Sequence, residues 1–296
     1  VANAGGPNAA GEDGAKSAPS PATRSAPKRG QRKRQRWFSL VGELTPLAFA
    51  AVAAGVFLAL FVLWWAATAF GLVQPLFLPS PGKVAARLWL FAVNGQLWQD
   101  AQVSLYRISI GFLAASILGI PGGVLIGSYR VLDAAVEPLV DFIRYMPVVA
   151  FVPLTILWTG TGDLQKLLII WIGTFFQQIL MVKDNVKRVP AEFIDVGRTL
   201  QMPEWKILLR IVIPAAAPGI WDTLRITLGW AWTWLVLAEL VAATSGLGYR
   251  ITVAQRFFQT DTIIGYILVL GCLGLVTDQV MKALERRLFV YLRGRR

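Results

Sequence analysis

PAEFIDVGRTLQMPEWKILLRIVIPAAAPG, residues 190–219, decides the fold of this chain, because it puts two short amphipathic helices and a basic face between long apolar segments. Phe193, Val196 and Leu200 recur at i, i+3 and i+7 on one helical face, while Glu192, Asp195, Arg198 and Gln201 occupy the other sides. Pro190 suits the first turn. A second helix opens at Pro203, with Glu204 near the positive end of its dipole and Trp205, Leu208, Leu209 and Val212 on one stripe. Pro214 and Pro218-Gly219 are expected to end it. Taken alone, such a hairpin suits the surface of a soluble domain equally well, so its surroundings have to separate the readings.

Those surroundings are apolar. The chain is 55% hydrophobic with 12 Trp and a mean hydropathy of +0.56, outside the usual range of a soluble domain. Charge is absent from Leu44 to Gly82, Ile108 to Tyr129, Tyr145 to Gly162, Leu167 to Val182, Ile226 to Ala238 and Thr262 to Thr277. Since about 20 apolar residues cross a bilayer, this predicts an all-α integral membrane protein. Six helices are expected, near 44–70, 104–128, 138–160, 165–183, 221–243 and 262–284. With six spans, the segments on the side of the two ends and the helix-pair loop hold 23 of the 29 Lys and Arg residues. The positive-inside rule puts that side in the cytoplasm. The net charge of +12 is therefore a topology signal, and no nucleic-acid partner is expected.

Three regions follow from composition. Residues 1–36 are rich in Ala, Gly, Pro and Ser and then basic from Lys28 to Arg36, a tail expected to be disordered and able to lie on anionic lipid. The uncharged stretch after it is too long for the apolar part of a cleaved signal. Residues 37–290 form the transmembrane domain, with the loop at 184–219, and 291–296 form a basic C-terminal tail. Cys272, the one cysteine, excludes a disulfide framework or a zinc site.

The missing chemistry narrows function. There is no His, which removes His-ligated metal catalysis and Ser-His or Cys-His nucleophilic pairs. No Walker A loop is present either: Ser80-Pro81-Gly82-Lys83-Val84 lacks the upstream Gly and the Ser or Thr after Lys. No catalytic residue and no metal site are assigned. If ATP drives transport here, another chain hydrolyses it.

Polar residues inside the spans are the functional candidates. Arg107 and Glu239 stand at similar expected depth, as an outer gate or as a static ion pair. Thr174, Gln177, Gln178, Thr227 and Thr233 offer neutral hydrogen bonds, to a solute in the path or to neighbouring helices. Trp230, Trp232 and Trp234 lie near mid-span, where a pore lining or a subunit seam fits better than a lipid belt. Gly119, Gly123 and Gly127 recur every fourth residue and predict close helix packing, with a local break at Pro121 as the alternative.

The loop with its context resembles the permease subunits of binding-protein-dependent ABC importers. Their cytoplasmic signature is EAA, three residues, Gly, nine residues, Ile-x-Leu-Pro. It aligns from Asp195-Val196-Gly197, with Gln201 at the Gly position, Ile211 at Ile, Ile213 at Leu and Pro214 at Pro. Leu78-Pro79-Ser80-Pro81, Ser104-Leu105-Tyr106-Arg107, Arg144-Tyr145-Met146-Pro147, Ala238-Glu239 and Ser245-Gly246-Leu247-Gly248-Tyr249 resemble its nitrate, sulfonate, taurine and bicarbonate branch.

The resemblance implies a type I importer permease fold in the cell inner membrane and a non-enzymatic role. It implies a homodimer, cytoplasmic ATPase subunits carrying ATP and Mg²⁺, a periplasmic or lipid-anchored solute-binding protein, and a small anion as solute. Coupling to the ATPase falls on Glu192, Asp195, Gly197, Arg198, Gln201, Met202, Pro203 and Pro214. Phe193, Leu200, Leu208 and Leu209 are expected to pack the helix pair against the membrane domain. The proline breaks are expected to separate that pair from the next span. Competing readings are a stand-alone secondary transporter, a membrane enzyme, or an importer of a pyrimidine-type precursor.

Overall fold

The computed structural model describes residues 45–290. The chain divides into two units, residues 1–58 and 59–296. The described part of the first unit is helical and uncharged, with Leu47, Phe49, Val56, Phe57 and Leu58 all exposed. It belongs to α1 (Pro46–Ala69), whose 24 residues make about 35 Å of helix, enough to cross a hydrocarbon core. The two tails expected at 1–36 and 291–296 lie outside the described residues.

The second unit continues with α2 (Pro81–Val93), α3 (Gln96–Ser128), α4 (Arg130–Arg144), a 3-10 turn (Val148–Phe151) and α5 (Val152–Thr159). After these come α6 (Asp163–Lys187), α7 (Ala191–Thr199), α8 (Glu204–Ile207), a π turn (Leu208–Val212), α9 (Ile213–Ala242), α10 (Leu247–Arg256) and α11 (Thr260–Leu288). Among the described residues, five helices are long and apolar enough to cross a membrane: Leu47–Ala69, Gln96–Ser128, Asp163–Lys187, Glu204–Ala242 and Thr260–Leu288.

The sixth span departs from expectation. Instead of one helix near 138–160, α4 and the segment Val148–Thr159 meet at 86°. Pro147 has no N–H to continue α4 and disfavours a helical Met146, so the chain leaves the helix at Tyr145 and re-enters it through the 3-10 turn.

At the centre α3 lies against α6, and α6 against α9. Gly123 and Gly127 let α3 touch the backbone of α6: an added Cβ would come within 2.7 Å of the Ile179 carbonyl and 2.9 Å of the Lys183 carbonyl, respectively. Pro121 sits inside an unbroken α3, so close packing is the role of this stripe and a break at Pro121 is not. Trp232 is buried beside Ile108, Phe112, Ile170 and Leu235, and its Nε1 donates to Thr277 Oγ1 at 3.1 Å, tying α9 to α11. It is thus an internal packing residue. Val124, Val182, Val186, Ile207 and Val212 join the lower ends of α3 and α6 to the loop helices.

Candidate functional site: the loop helices and the α6–α9 groove

The loop helices form as the sequence suggests, but with a different buried face. α7 ends in a Schellman motif: Gln201 has φ +53°, its N–H donates to the Arg198 carbonyl at 2.8 Å, and Met202 N–H donates to the Gly197 carbonyl at 3.0 Å. A left-handed residue is what glycine supplies most easily, which accounts for the Gly in the signature at the position Gln201 holds here. Gly197 is buried, and a Cβ there would sit 2.8 Å from Ile211 and 3.0 Å from Ile207. It is therefore a packing residue, not a contact for a partner. Ile194, Met202, Ile207, Leu208 and Ile211 make the inner face.

Phe193, Leu200 and Leu209, expected to pack inward, are at least half exposed, as are Val196 and Trp205. Only Leu208 of the expected set turns in. The face follows the π turn at Leu208–Val212, which rotates the register between Glu204 and Pro214 away from a uniform 3.6-residue stripe. The same turn changes the connection to the membrane. Pro214 and Pro218 were expected to separate the helix pair from the span, yet Glu204–Ala242 runs as one 39-residue helix. The wider turn accommodates the carbonyls that lose their partners before Pro214. Glu192, Asp195, Arg198, Gln201, Pro203 and Pro214 all lie exposed. Arg198 is 3.7 Å from Asp195 and 3.4 Å from Glu204, through side chains more than half exposed.

A groove runs between α6 and α9 along one face. Gly173, Gln177, Met181, Asp184 and Arg188 recur at helical spacing on α6, opposite Gly219, Asp222, Ile226, Trp230 and Thr233 on α9. Its widest part, about 400 Å³, lies midway along both helices where the α4–α5 break opens, between Arg144, Tyr145, Pro147, Gln177, Trp230 and Thr233. A smaller cavity of about 190 Å³ lies further down between Asp184, Arg188 and Asp222. Below it a third, of about 370 Å³, reaches Phe193 and Pro214 of the loop. Asn185 holds the two walls in register, its Nδ2 donating to Met181 O at 2.8 Å, Gly219 O at 3.0 Å and Thr223 Oγ1 at 2.8 Å.

The expected polar set divides across this geometry. Gln177 and Thr233 line the wide cavity. Thr174 instead donates to Ile170 O at 2.6 Å within α6, and Gln178 reaches the Ser116 and Thr227 hydroxyls at 3.1 Å each and so bonds α6 to α3 and α9. Arg107 and Glu239 do meet, at 2.8 Å, but deep in the protein at 3% and 1% exposure and away from the groove cavities. Arg107 also binds Asp163 at 2.7 Å and the Ser245 carbonyl at 2.7 Å, while Glu239 accepts from Ser104 at 2.9 Å and Gly248 N–H at 2.8 Å. Lys166 adds a bond to the Ala242 carbonyl at 2.6 Å. The partners lie on α3, α6, α9, the turn after α9 and the start of α10, so the pair ties these elements together as a buried rivet. Trp230 and Trp234, expected at mid-span to line a pore or a subunit seam, line the wide cavity. Arg144 was not among the site residues expected from sequence, although it opens the Arg144-Tyr145-Met146-Pro147 stretch that carries the resemblance.

Comparison with known proteins accounts for this architecture. The family model for the binding-protein-dependent transport system inner membrane component matches residues 119–290. The chain belongs to that family. A probable ABC transporter permease protein of Brucella melitensis is 37% identical over 225 residues, 76% of this chain and 90% of the relative. The taurine transport system permease protein of Escherichia coli is 33% identical, over 79% of this chain and 87% of its own length. The bicarbonate transport system permease protein of Synechococcus elongatus is 32% identical, over 65% and 69%. Among solved structures, an inward-facing methionine ABC transporter superposes with a TM-score of 0.58 at 20% identity, covering 65% of this chain and 95% of that one.

The fold is that of a type I ABC importer permease. As a permease it is a multi-pass membrane transport subunit and not an enzyme, and its family implies an ATPase and a solute-binding protein as partners.

Proposed function

We propose that this permease works as one of two identical subunits that together enclose a path for a small anion along the α6–α9 groove. The observation that carries the reading is the row of polar and charged side chains on that one face. Gln177 and Thr233 stand on it midway along α6 and α9, and Asp184, Arg188 and Asp222 stand at its loop end. Such a face is unfavourable against acyl chains, because the Gln177 amide and the Thr233 hydroxyl would be left there without hydrogen-bond partners. A second copy related by two-fold symmetry covers it and leaves a polar channel between the two grooves. A stand-alone secondary transporter does not fit a family of components in binding-protein-dependent systems.

The taurine and bicarbonate permeases among its relatives support a small anion as solute. A pyrimidine-type precursor is the second reading. With Arg144 set aside as a cavity residue, 22 of the 29 basic residues remain on the side of the two termini and the loop helices, which favours that side as the cytoplasm of a cell with this protein in its inner membrane. There the exposed Glu192, Asp195, Arg198, Gln201 and Pro203, with Phe193 and Leu200 beside them, dock in a groove of the ATPase. ATP and Mg²⁺ bind to that partner, and the solute-binding protein rests on the opposite surface near α2 and α10. The transmembrane domain is taken as 37–290, with the basic segments 1–36 and 291–296 on either side of it in sequence.

The experiment is a charge swap. Asp195→Lys with Arg198→Glu is expected to abolish solute-stimulated ATP hydrolysis in the assembled complex while the permease remains folded and in the membrane. Stimulated hydrolysis at the wild-type level would remove these residues from the ATPase contact.

A further inference from the structure

We infer that Arg144, at the break between α4 and α5, binds a small oxyanion in the wide cavity, an inference that rests on reading the α6–α9 groove as the path. Arg144 is the one charged residue lining that cavity. Gln177, across from it, is fourteen residues into α6, about 20 Å from the helix start, so the cavity sits near the middle of the bilayer. The surrounding break is non-helical backbone at membrane depth, which is tolerated where it lines a polar cavity.

Two contacts hold the guanidinium. Its Nε donates to Asp141 Oδ1 at 2.8 Å, and its Nη2 to the Tyr145 hydroxyl at 3.0 Å, with the Tyr145 ring centroid 4.5 Å from the guanidinium carbon. Nη1 donates to no described residue. Asp141 is engaged at Nε and does not line the cavity, so the cavity faces the cation and not its counter-ion. The Gln177 amide and the Thr233 hydroxyl also line it, and neither has a hydrogen-bond partner among the described residues. The Tyr145 hydroxyl accepts from Arg144 and keeps its own proton to give.

A guanidinium with a free edge, flanked by neutral donors, fits the oxygens of a sulfonate, carboxylate, nitrate or bicarbonate group. Asp141 already offsets the Arg144 charge, so the free Nη1 edge would hold an oxyanion by charge-assisted hydrogen bonds and not by cancelling a net charge. Compensation of the α4 dipole explains why a cation stands at that helix end. It does not explain the uncommitted donors that share the cavity with it.

The test uses the purified full chain in lipid nanodiscs and ethanesulfonate as the probe. Ethyl methyl sulfone, uncharged and of similar shape, is the control at constant ionic strength. Ethanesulfonate is expected to raise the Tm saturably, and the sulfone not to. Arg144→Gln should move the half-saturating concentration up by roughly tenfold or more, the effect of losing a charge-assisted hydrogen bond. Arg144→Lys, which keeps the charge but not the planar fork, should fall between the two. Gln177→Ala should weaken binding without removing the preference for the anion.

No saturable response in the wild type, an equal response to the sulfone, or an unchanged midpoint in Arg144→Lys overturns the assignment, and the Lys variant decides if the Gln variant fails to fold. The permease reading is tested separately by solute-stimulated hydrolysis in the complex and by its loss in the Asp195/Arg198 swap. Those results stand or fall independently of the Arg144 titration.

Discussion

At Gln201 a single backbone angle joins the family signature to the structure. The residue holds φ +53°, where an L side chain costs on the order of 1 kcal/mol relative to glycine, and it does so to close the Schellman motif that turns α7 toward α8. Gln201→Gly is therefore expected to stabilise the permease by about 1 kcal/mol, read as a higher Tm in detergent or nanodiscs. A lower Tm would mean that the Gln201 side chain makes a contact that offsets the strain. The sequence alone named this position as the one at odds with the motif, since spacing is visible in one dimension. Whether the turn survives depended on two hydrogen bonds to carbonyls of the preceding helix. Gly197 teaches the converse: its place in the signature suggested a partner contact, and only the packing of Ile207 and Ile211 above it reveals a steric role.

Among the elements, the continuous helix from Glu204 to Ala242 matters most for coupling. Two prolines read in sequence as breaks, because each removes a donor and crowds a carbonyl one turn back. The π turn ahead of them widens the helix, and the loop helix becomes the rigid end of a transmembrane span. Asp195 and Arg198 stand on α7, whose Gly197 packs on Ile207 and Ile211 of this rod, so motion at α7 is expected to reach Trp230 and Thr233 through that contact. Inserting two glycines between Val212 and Ile213 should reduce solute-stimulated ATP hydrolysis by about tenfold or more while the ATPase still co-purifies, because glycine uncouples helical segments. Stimulation at the wild-type level would show that the rod need not be continuous. At α4–α5 the reverse holds: an uncharged run that reads as one span is divided by Pro147. The two cases differ in what lies upstream of the proline, and periodicity does not report a π turn.

For the whole molecule, the groove makes a prediction about assembly. Ile226 stands on the groove between its charged end and the wide cavity and is 48% exposed, while Val280, on α11, is 52% exposed and absent from the groove lining. In a Cys272→Ser background, Ile226→Cys should give a disulfide or short bismaleimide dimer in membranes, and Val280→Cys should not. Cross-linking at Val280 with none at Ile226 would assign the subunit contact to another face.

Read by itself, the sequence determined the membrane class, the positions of most spans, the existence of two loop helices and the family, because each depends on local hydropathy, charge placement or fixed spacing. Tertiary structure alone decided which polar residues face the groove. Gln177 and Gln178 are neighbours on one helix, separated by about 100° of rotation, so one lines a cavity and the other ties α6 to α3 and α9. Arg107 and Glu239 likewise became a buried rivet, and Arg144 a cavity wall, only when helices distant in sequence packed together. That packing depends on where glycine permits backbone contact and where proline is absorbed or breaks the helix, and neither outcome is encoded in a single window of residues.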